Sequence, residues 1–432
     1  MLTRLAPQDV TPSTDVDEDS QDRFISYARR MTCIHIGQIS LHSLHQPRHS
    51  ACYTISPALF TLLLGGRLPS TQHNFSSVFS RVVHIIWQKD AYDPSISNRR
   101  WIHFPSSLQE YFLVRIQSSL SLKRIDFTFG DDNLFSNPRT YHFGGTFCHL
   151  TSLLLSGSIA QLLACLCALP SPMNLGRIVL ASLEYWTPNE LLTVFLELQR
   201  IGSSPSPFEL IRIAESPAQD LIFEDGAPGA PNPDELYSAD YGSFEGPLSA
   251  IIGPNLRCII VDPRINMDFH ANFLDVFLAA PGLEIVDFGT RVGHLTPPSS
   301  DITIEDIVAT VSNLRYLESL QIPWRESDRF ATISSSNSDA EVADPDNMGG
   351  NACGHPAHPN LRVLGFPCFY PYEDSRDWHL SLIASSFPDL DMLIIFSAYL
   401  DNGEPEEWNS WDDSPLILDY SIERTPVEYY FD

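Results

Sequence analysis

Cys353, His355 and His358 stand in the stretch CGHPAH, with Cys368 fifteen residues after Cys353, and thiolate and imidazole are the donors that zinc prefers. A zinc finger needs a second close pair of such donors. This stretch has none, and it ends a loop rich in Gly and Asn, so no metal is expected. Asp15, Asp17 and Asp19 alternate like the first ligands of a calcium loop, but Ser20 and Ser26 occupy the positions where that loop requires glycine and glutamate. The run reads as solvated acid. No P-loop, dinucleotide fingerprint, nucleophile elbow or His-Glu-x-x-His helix is present, and the spacing of the 14 histidines gathers none of them. The chain is therefore expected to be no enzyme and to hold no cofactor; an enzyme would need a pocket that collects His, Asp and Ser from distant segments.

Charge narrows the partners. With 54 acidic and 26 basic residues the formal charge is -28, which repels phosphate backbones and anionic bilayers, so neither nucleic acid nor membrane is expected as a partner. The eight cysteines show no paired spacing and read as reduced thiols of a cytoplasmic or nuclear protein. The opening MLTRLAPQDV lacks the apolar core of a signal peptide. Residues 150–176 carry no charge and are long enough to span a bilayer, yet Ser152, Ser156, Gly157, Ser158 and Gln161 dilute them and Pro170 and Pro172 break them. A strand followed by a buried helix is the expected reading.

What could position a binding surface is a repeat. HPNLRVLGF (358–366) and FPDLDMLII (387–395) share proline, leucine, an aliphatic residue and a final apolar residue at fixed spacing: Pro359, Leu361, Leu364 and Phe366, then Pro388, Leu390, Leu393 and Ile395. The last two apolar positions, two apart, face the same way in a strand. The skeleton recurs at Pro254/Leu256/Ile259/Val261 and Pro281/Leu283/Val286/Phe288. Looser copies lie at Met31/Ile34/Ile36, Val82/Ile85/Trp87, Leu122/Ile125/Phe127, Leu150/Leu153/Leu155, Leu175/Ile178/Leu180, Phe208/Ile211/Ile213 and Leu317/Leu320/Ile322, which makes eleven expected strands. Helix signals fall between them, at 106–118, 158–169, after the capping box Thr187-Pro188-Asn189-Glu190, at 269–280, after Thr303, and at 375–386. Strand and helix alternating at the shortest of these intervals are the signature of a leucine-rich-repeat solenoid, in which proline ends one helix before the next strand. The expected fold is α/β, an irregular horseshoe with a parallel sheet on the concave side and helices outside.

Three domains of organisation follow. Residues 1–22 read as a disordered acidic segment, 23–400 as the solenoid with mobile insertions at 215–250 and 325–357, and 401–432 as an acidic, aromatic tail that could cap the last repeat.

The stretch RFISYARRMTCIHI (23–36), with ISPALFTLLL, SLKRIDFTF and PNLRVLGF, resembles the fungal F-box leucine-rich-repeat-like proteins over residues 20–400. The resemblance implies a substrate receptor of a ubiquitin ligase, whose F-box holds the ligase adaptor while the repeats hold a protein target. The residues before Arg23 are too short and too acidic for an F-box, so the chain as written is expected not to bind the adaptor, which would require an F-box encoded upstream. A scaffold without an adaptor domain is the alternative, and an enzyme with an unrecognised site the second.

The expected contact surface is the outward set of strand positions. These are Arg124, Asp126, Arg177, Val179, Leu210 and Arg212 in the amino-terminal half, and Cys258, Ile260, Ile285, Asp287, Ser319, Gln321, Val363, Gly365, Met392 and Ile394 in the carboxyl half. The three arginines form a positive stripe. The apolar carboxyl half is costly to leave wet, which points to a docking surface for an unknown protein or to cover by an insertion loop.

Overall fold

The structure is a computed structural model of the chain, and it describes residues 23, 25–36, 79–87, 116, 121–129, 147, 149–182, 184, 186–202, 205–215, 238–240, 242–262, 266–288, 300–322, 358, 360–366, 383, 385–395 and 416–419. Two compact units form, residues 1–184 with 200–204 and residues 185–199 with 205–432.

In the first unit, β1 (Cys33–Ile36), β2 (His84–Trp87), β3 (Arg124–Thr128), β4 (Ser152–Gly157) and β5 (Arg177–Ser182) pair in sequence order, and every pair is parallel. Burial alternates along them, because successive side chains point to opposite faces. Ile85 and Trp87, Ile125 and Phe127, Leu153 and Leu155, Ile178 and Leu180 are the buried set. Trp87 stacks on Phe127 at 5.4 Å, so neighbouring repeats hold one another through matching positions. Each strand start is built alike. The carbonyl just before one strand accepts two N–H groups from the next: Thr32 O from Val83 and His84, Val83 O from Lys123 and Arg124, Lys123 O from Thr151 and Ser152, Thr151 O from Gly176 and Arg177.

Parallel neighbours need a crossover, and α1 (Ile159–Ala168) supplies one. Ser158 starts it through a capping box with Gln161, and Ile159, Leu162, Cys165 and Leu166 are buried. The uncharged stretch 150–176 thus folds as the expected strand and buried helix, and among the described residues no helix is long and apolar enough to cross a membrane. At the far end of α1 the carbonyls of Leu169 and Leu166 accept hydrogen bonds of 3.0 and 2.8 Å from the guanidinium of Arg200, a residue of this unit in the last turn of α2 (Pro188–Ile201). A cation bonded to the last carbonyls of a helix satisfies groups that have no partner within the helix. Arg200→Met should therefore destabilise the first unit by about 1–2 kcal/mol, given the half-exposed setting. Urea unfolding, with faster amide exchange confined to the end of α1, is the check; unchanged exchange there would refute the capping role.

In the second unit Thr187 and Glu190 form the capping box of α2, with Thr187 N donating to Glu190 Oε2 at 2.9 Å. There follow β6 (Leu210–Glu215), β7 (Ser238–Asp240), α3 (Gly242–Ile251), β8 (Cys258–Asp262), β9 (Asn266–Asp268) and β10 (Ile285–Asp287). Beyond these come α4 (Ile304–Val311), β11 (Ser319–Gln321), β12 (Val363–Phe366), β13 (Met392–Ile395) and β14 (Leu416–Asp419). The strands β6, β8, β10, β11, β12 and β13 pair in that order, all parallel, and β14 adds to β13 antiparallel. A separate parallel pair joins β7 to β9. The bifurcated strand start recurs, with Glu209, Arg257, Glu284 and Glu318 as acceptors.

All eleven expected strands are present, in a mixed α/β fold in which they pair in parallel within each unit. Three differences stand out. Residues 215–250, expected as a loop, contain β7 and most of α3, where Phe244 and Leu248 are buried and Phe244 meets Phe195 of α2 edge-on at 5.9 Å. The helix expected at 269–280 is a 3-10 segment, Ala271–Ala279. Its N-cap His270 makes no side-chain capping bond, whereas the α-helix expected after Thr303 begins at a complete capping box with Asp306. The tail read as a possible cap contributes β14. The expectations for 1–22, 325–357 and most of 106–118 and 375–386 lie outside the described residues.

Candidate functional site

Because the registers run in step, the outward side chains of successive strands fall into rows. In the first unit one row is Cys33, His84, Arg124, Ser152 and Arg177, and the next carries Asp126, Leu154 and Val179. In the second unit one row is Leu210, Cys258, Ile285, Ser319, Val363 and Met392, and the next is Arg212, Ile260, Asp287, Gln321, Gly365 and Ile394. Every expected contact residue thus stands in one of these register rows within its own unit. Those of the first unit share one set of rows and those of the second another; the side chains of Met392 and Ile394 lie outside the described residues.

The first unit holds the most chemically loaded group. Arg124 grips Asp126 with two bonds of 3.0 Å, Nε to Oδ1 and Nη2 to Oδ2, and His84 Nε2 lies 3.0 Å from the same Oδ2. The fork of a guanidinium matches a carboxylate, so this pair fixes the carboxylate geometrically as well as by charge. Arg124 was expected to add to a positive stripe. Asp126, two residues along the same strand face, neutralises it instead, and of the other two arginines Arg177 is exposed while Arg212 is half-buried in the second unit.

Thiol, imidazole and carboxylate on three adjacent strands invite comparison with a nucleophilic triad. Two observations oppose it. Burial, then the charge of Asp126, raise the Cys33 thiol above its ordinary value, with Arg124 pulling the other way, so the thiolate a nucleophile needs is disfavoured. Among the described residues no hydrogen bond links Cys33 to His84, which spends Nε2 on Asp126. Cys258 on the second unit's row is more inert still: burial pushes its thiol up to about 12, with Asp287 adding to the shift. No group of three metal-donor side chains occurs among the described residues. His358, part of the zinc-like stretch, is buried and uses both ring nitrogens on backbone groups, while Cys353, His355 and Cys368 lie outside the described residues.

The second unit's first row is apolar or small, while the next also carries Arg212, Asp287 and Gln321. Ile260, Ile285 and Val363 are half-buried, while Cys258 and Ser319 are 6% and 3% exposed although they stand on the outward row. Their small side chains sink between larger neighbours. Gly365 shows the same close packing across a strand pair: a Cβ there would lie 2.8 Å from Cγ of Gln321, so the Gln321 side chain leans across it. Sequence alternation alone identified which face these residues share; it carried no signal for depth, which depends on the sizes of partners in other repeats. His84 was likewise missed, since only the β2–β3 register brings it to Asp126, 42 residues away. Neither protein-family models nor curated proteins gave a match to this chain.

Proposed function

We propose that the chain is a leucine-rich-repeat module for protein interaction, a horseshoe whose concave strand face holds a protein target, as the target-binding half of an F-box receptor does. The observation that carries this reading is the set of half-exposed apolar side chains in two adjacent rows, Ile285 and Val363 in one and Ile260 in the next, presented in register by parallel strands in a repeat of strand and helix. A repeat-built sheet offers a broad contact face, and the thiols that stand in its outward rows, Cys33 and Cys258, are both raised by burial. The alternative of a scaffold unconnected to a ligase uses the same face. It differs in whether the captured target becomes ubiquitinated.

The test is kinetic. A partner is captured by photocrosslinking from position 260, identified, and its purified form is bound to the wild type and to two variants. Arg177→Glu with Arg212→Glu should slow association about tenfold at low ionic strength and leave release almost unchanged, because exposed charge acts on encounter. Ile260→Ser with Ile285→Ser should speed release by about tenfold or more, from apolar area at about 25 cal/mol per Å². Folded variants that alter neither rate would overturn the concave-face reading.

A further inference from the structure

The net charge of the chain hides a strong asymmetry. Residues 23–182 hold 14 Lys and Arg against 6 Asp and Glu, whereas residues 183–432 hold 11 against 42. The repeat register shows where part of the excess goes. Val82 donates to Phe79 O and Leu150 to Phe147 O, as Met31 does to Ala28 O, so the residues just before them, Arg81, His149 and Arg30, occupy one equivalent position three residues before β2, β4 and β1. Lys123 occupies the position just before β3, and all four are exposed.

At the strand starts of the first unit, from three residues before each strand to its first residue, stand Arg30, Arg81, Lys123, Arg124 and Arg177 and not one carboxylate. Arg124 turns inward to Asp126, but no ion pair holds Arg30, Arg81 or Lys123 among the described residues. The same positions in the second unit read oppositely. Glu209, Glu284, Glu318, Asp389 and Asp391 stand there against Arg257 and Arg362, and each of those arginines is paired, with Glu284 at 2.8 Å and with Asp391 at 2.9 Å. A like-charged ladder on three adjacent strands, spaced about 4.8 Å apart, repels itself and gains nothing for the fold.

We infer that the strand-start rim formed by Arg30, Arg81 and Lys123 docks a short acidic polypeptide segment of a partner protein. The complement of an unpaired cationic ladder is an anion, and its five strands span only about 20 Å. A nucleic acid longer than the rim would be opposed by a chain whose remaining residues carry a large negative excess, and among the described residues of the unit Tyr27 is the exposed large aromatic side chain on which a base could stack. A short Asp/Glu-rich segment meets neither obstacle. None of the three residues belongs to the outward strand rows, so failure of this inference leaves the concave-face reading standing, and the reverse holds too.

Fluorescence anisotropy tests it with the full chain, a labelled dodecapeptide of alternating Asp and Glu, its Asn/Gln counterpart, and a thymidine dodecanucleotide. The acidic peptide should bind and the neutral one should not, with affinity falling as salt shortens the Debye length to about 8 Å. Arg30→Glu, Arg81→Glu and Lys123→Glu together should weaken binding at least about tenfold, and the three glutamine substitutions should give a smaller loss in the same direction. Arg257→Glu, Arg315→Glu and Arg362→Glu, which change net charge equally, should change it by less than about twofold. Absence of peptide binding, equal losses in the two charge-reversed variants, or tighter binding of the oligonucleotide would each overturn the inference. So would a salt-sensitive dimer of the free chain in sedimentation, which would make a second copy the occupant.

Discussion

Phe273→Ala should destabilise the second unit by about 3–5 kcal/mol, the range for deleting a large buried aromatic side chain. Phe273 is fully buried and meets Phe269 at 4.6 Å, Phe288 at 5.0 Å and Phe277 at 5.2 Å, each edge-to-face. Such ring pairs add about 0.5–1.5 kcal/mol beyond the burial of area. The local backbone has little of its own to offer: the 3-10 segment Ala271–Ala279 lacks a side-chain N-cap and makes poorer hydrogen bonds than an α-helix, so packing must hold it against the strands. Phe288, which follows β10, shares the cluster, so the loss should reach that strand. Set against a total of about 5–15 kcal/mol for a domain, the effect is large. Urea unfolding gives the magnitude, and amide exchange should rise first in residues 271–288. Phe273→Leu should recover part of the loss; a loss below about 1 kcal/mol in the alanine variant would show that the cluster does not hold the segment.

The strands were legible because their skeleton is a physical unit. In three of the four proline copies the leucine donates its N–H to a carbonyl three residues earlier, Leu256 to Gly253, Leu283 to Ala280 and Leu390 to Phe387, and the proline between them suits a tight turn that must also end a helix. Once that turn is set, the aliphatic residue three positions on must fall on the buried face. Residues 238–251 were less legible. Gly242, Gly246 and Pro247 argue against a helix by propensity, and burial of Phe244 and Leu248 against neighbours overrides it. The paired state of Arg124 was half visible, as a cation and an acid two apart on one strand face, but the contribution of His84 needed the register.

Charge was read on a coarser scale. The total of -28 was set against phosphate backbones and anionic bilayers, and it carries no sign that the local balance is positive from residue 23 to residue 182. Exposed charges interact over a Debye length of about 8–10 Å, so a total taken over 432 residues says little about what one rim attracts. The register converts sequence positions into rows, and only the rows reveal that Arg30, Arg81 and Lys123 have no ion-pair partner among the described residues while Arg257 and Arg362 do.

His358→Leu should destabilise the β11–β12–β13 region by about 3 kcal/mol, and the argument rests on what the imidazole replaces. At Leu150, Leu256, Leu283, Leu317 and Leu390 the carbonyl three residues before the skeleton leucine accepts its N–H; here Leu361 N instead donates to His358 Nδ1 at 3.1 Å. That bond makes Nδ1 the acceptor and places the ring proton on Nε2, which donates to Leu314 O of the preceding repeat at 2.8 Å. The backbone N–H of His358 donates to Ser386 O of the following repeat, also at 2.8 Å. One residue, 4% exposed, therefore ties three successive repeats together. Leucine fills similar space but leaves the N–H of Leu361 and the carbonyl of Leu314 without these partners in a buried place, and each such group costs about 1–3 kcal/mol. Neither nitrogen is left for a metal, so added zinc should not raise the stability of the wild type through this residue. Hydrogen exchange on the variant should show faster exchange from 314 to 322, from 360 to 366 and from 385 to 395, while α1 and β4 in the first unit stay protected. Uniform acceleration across both units, or none in either, would show that His358 is not the local tie between these repeats.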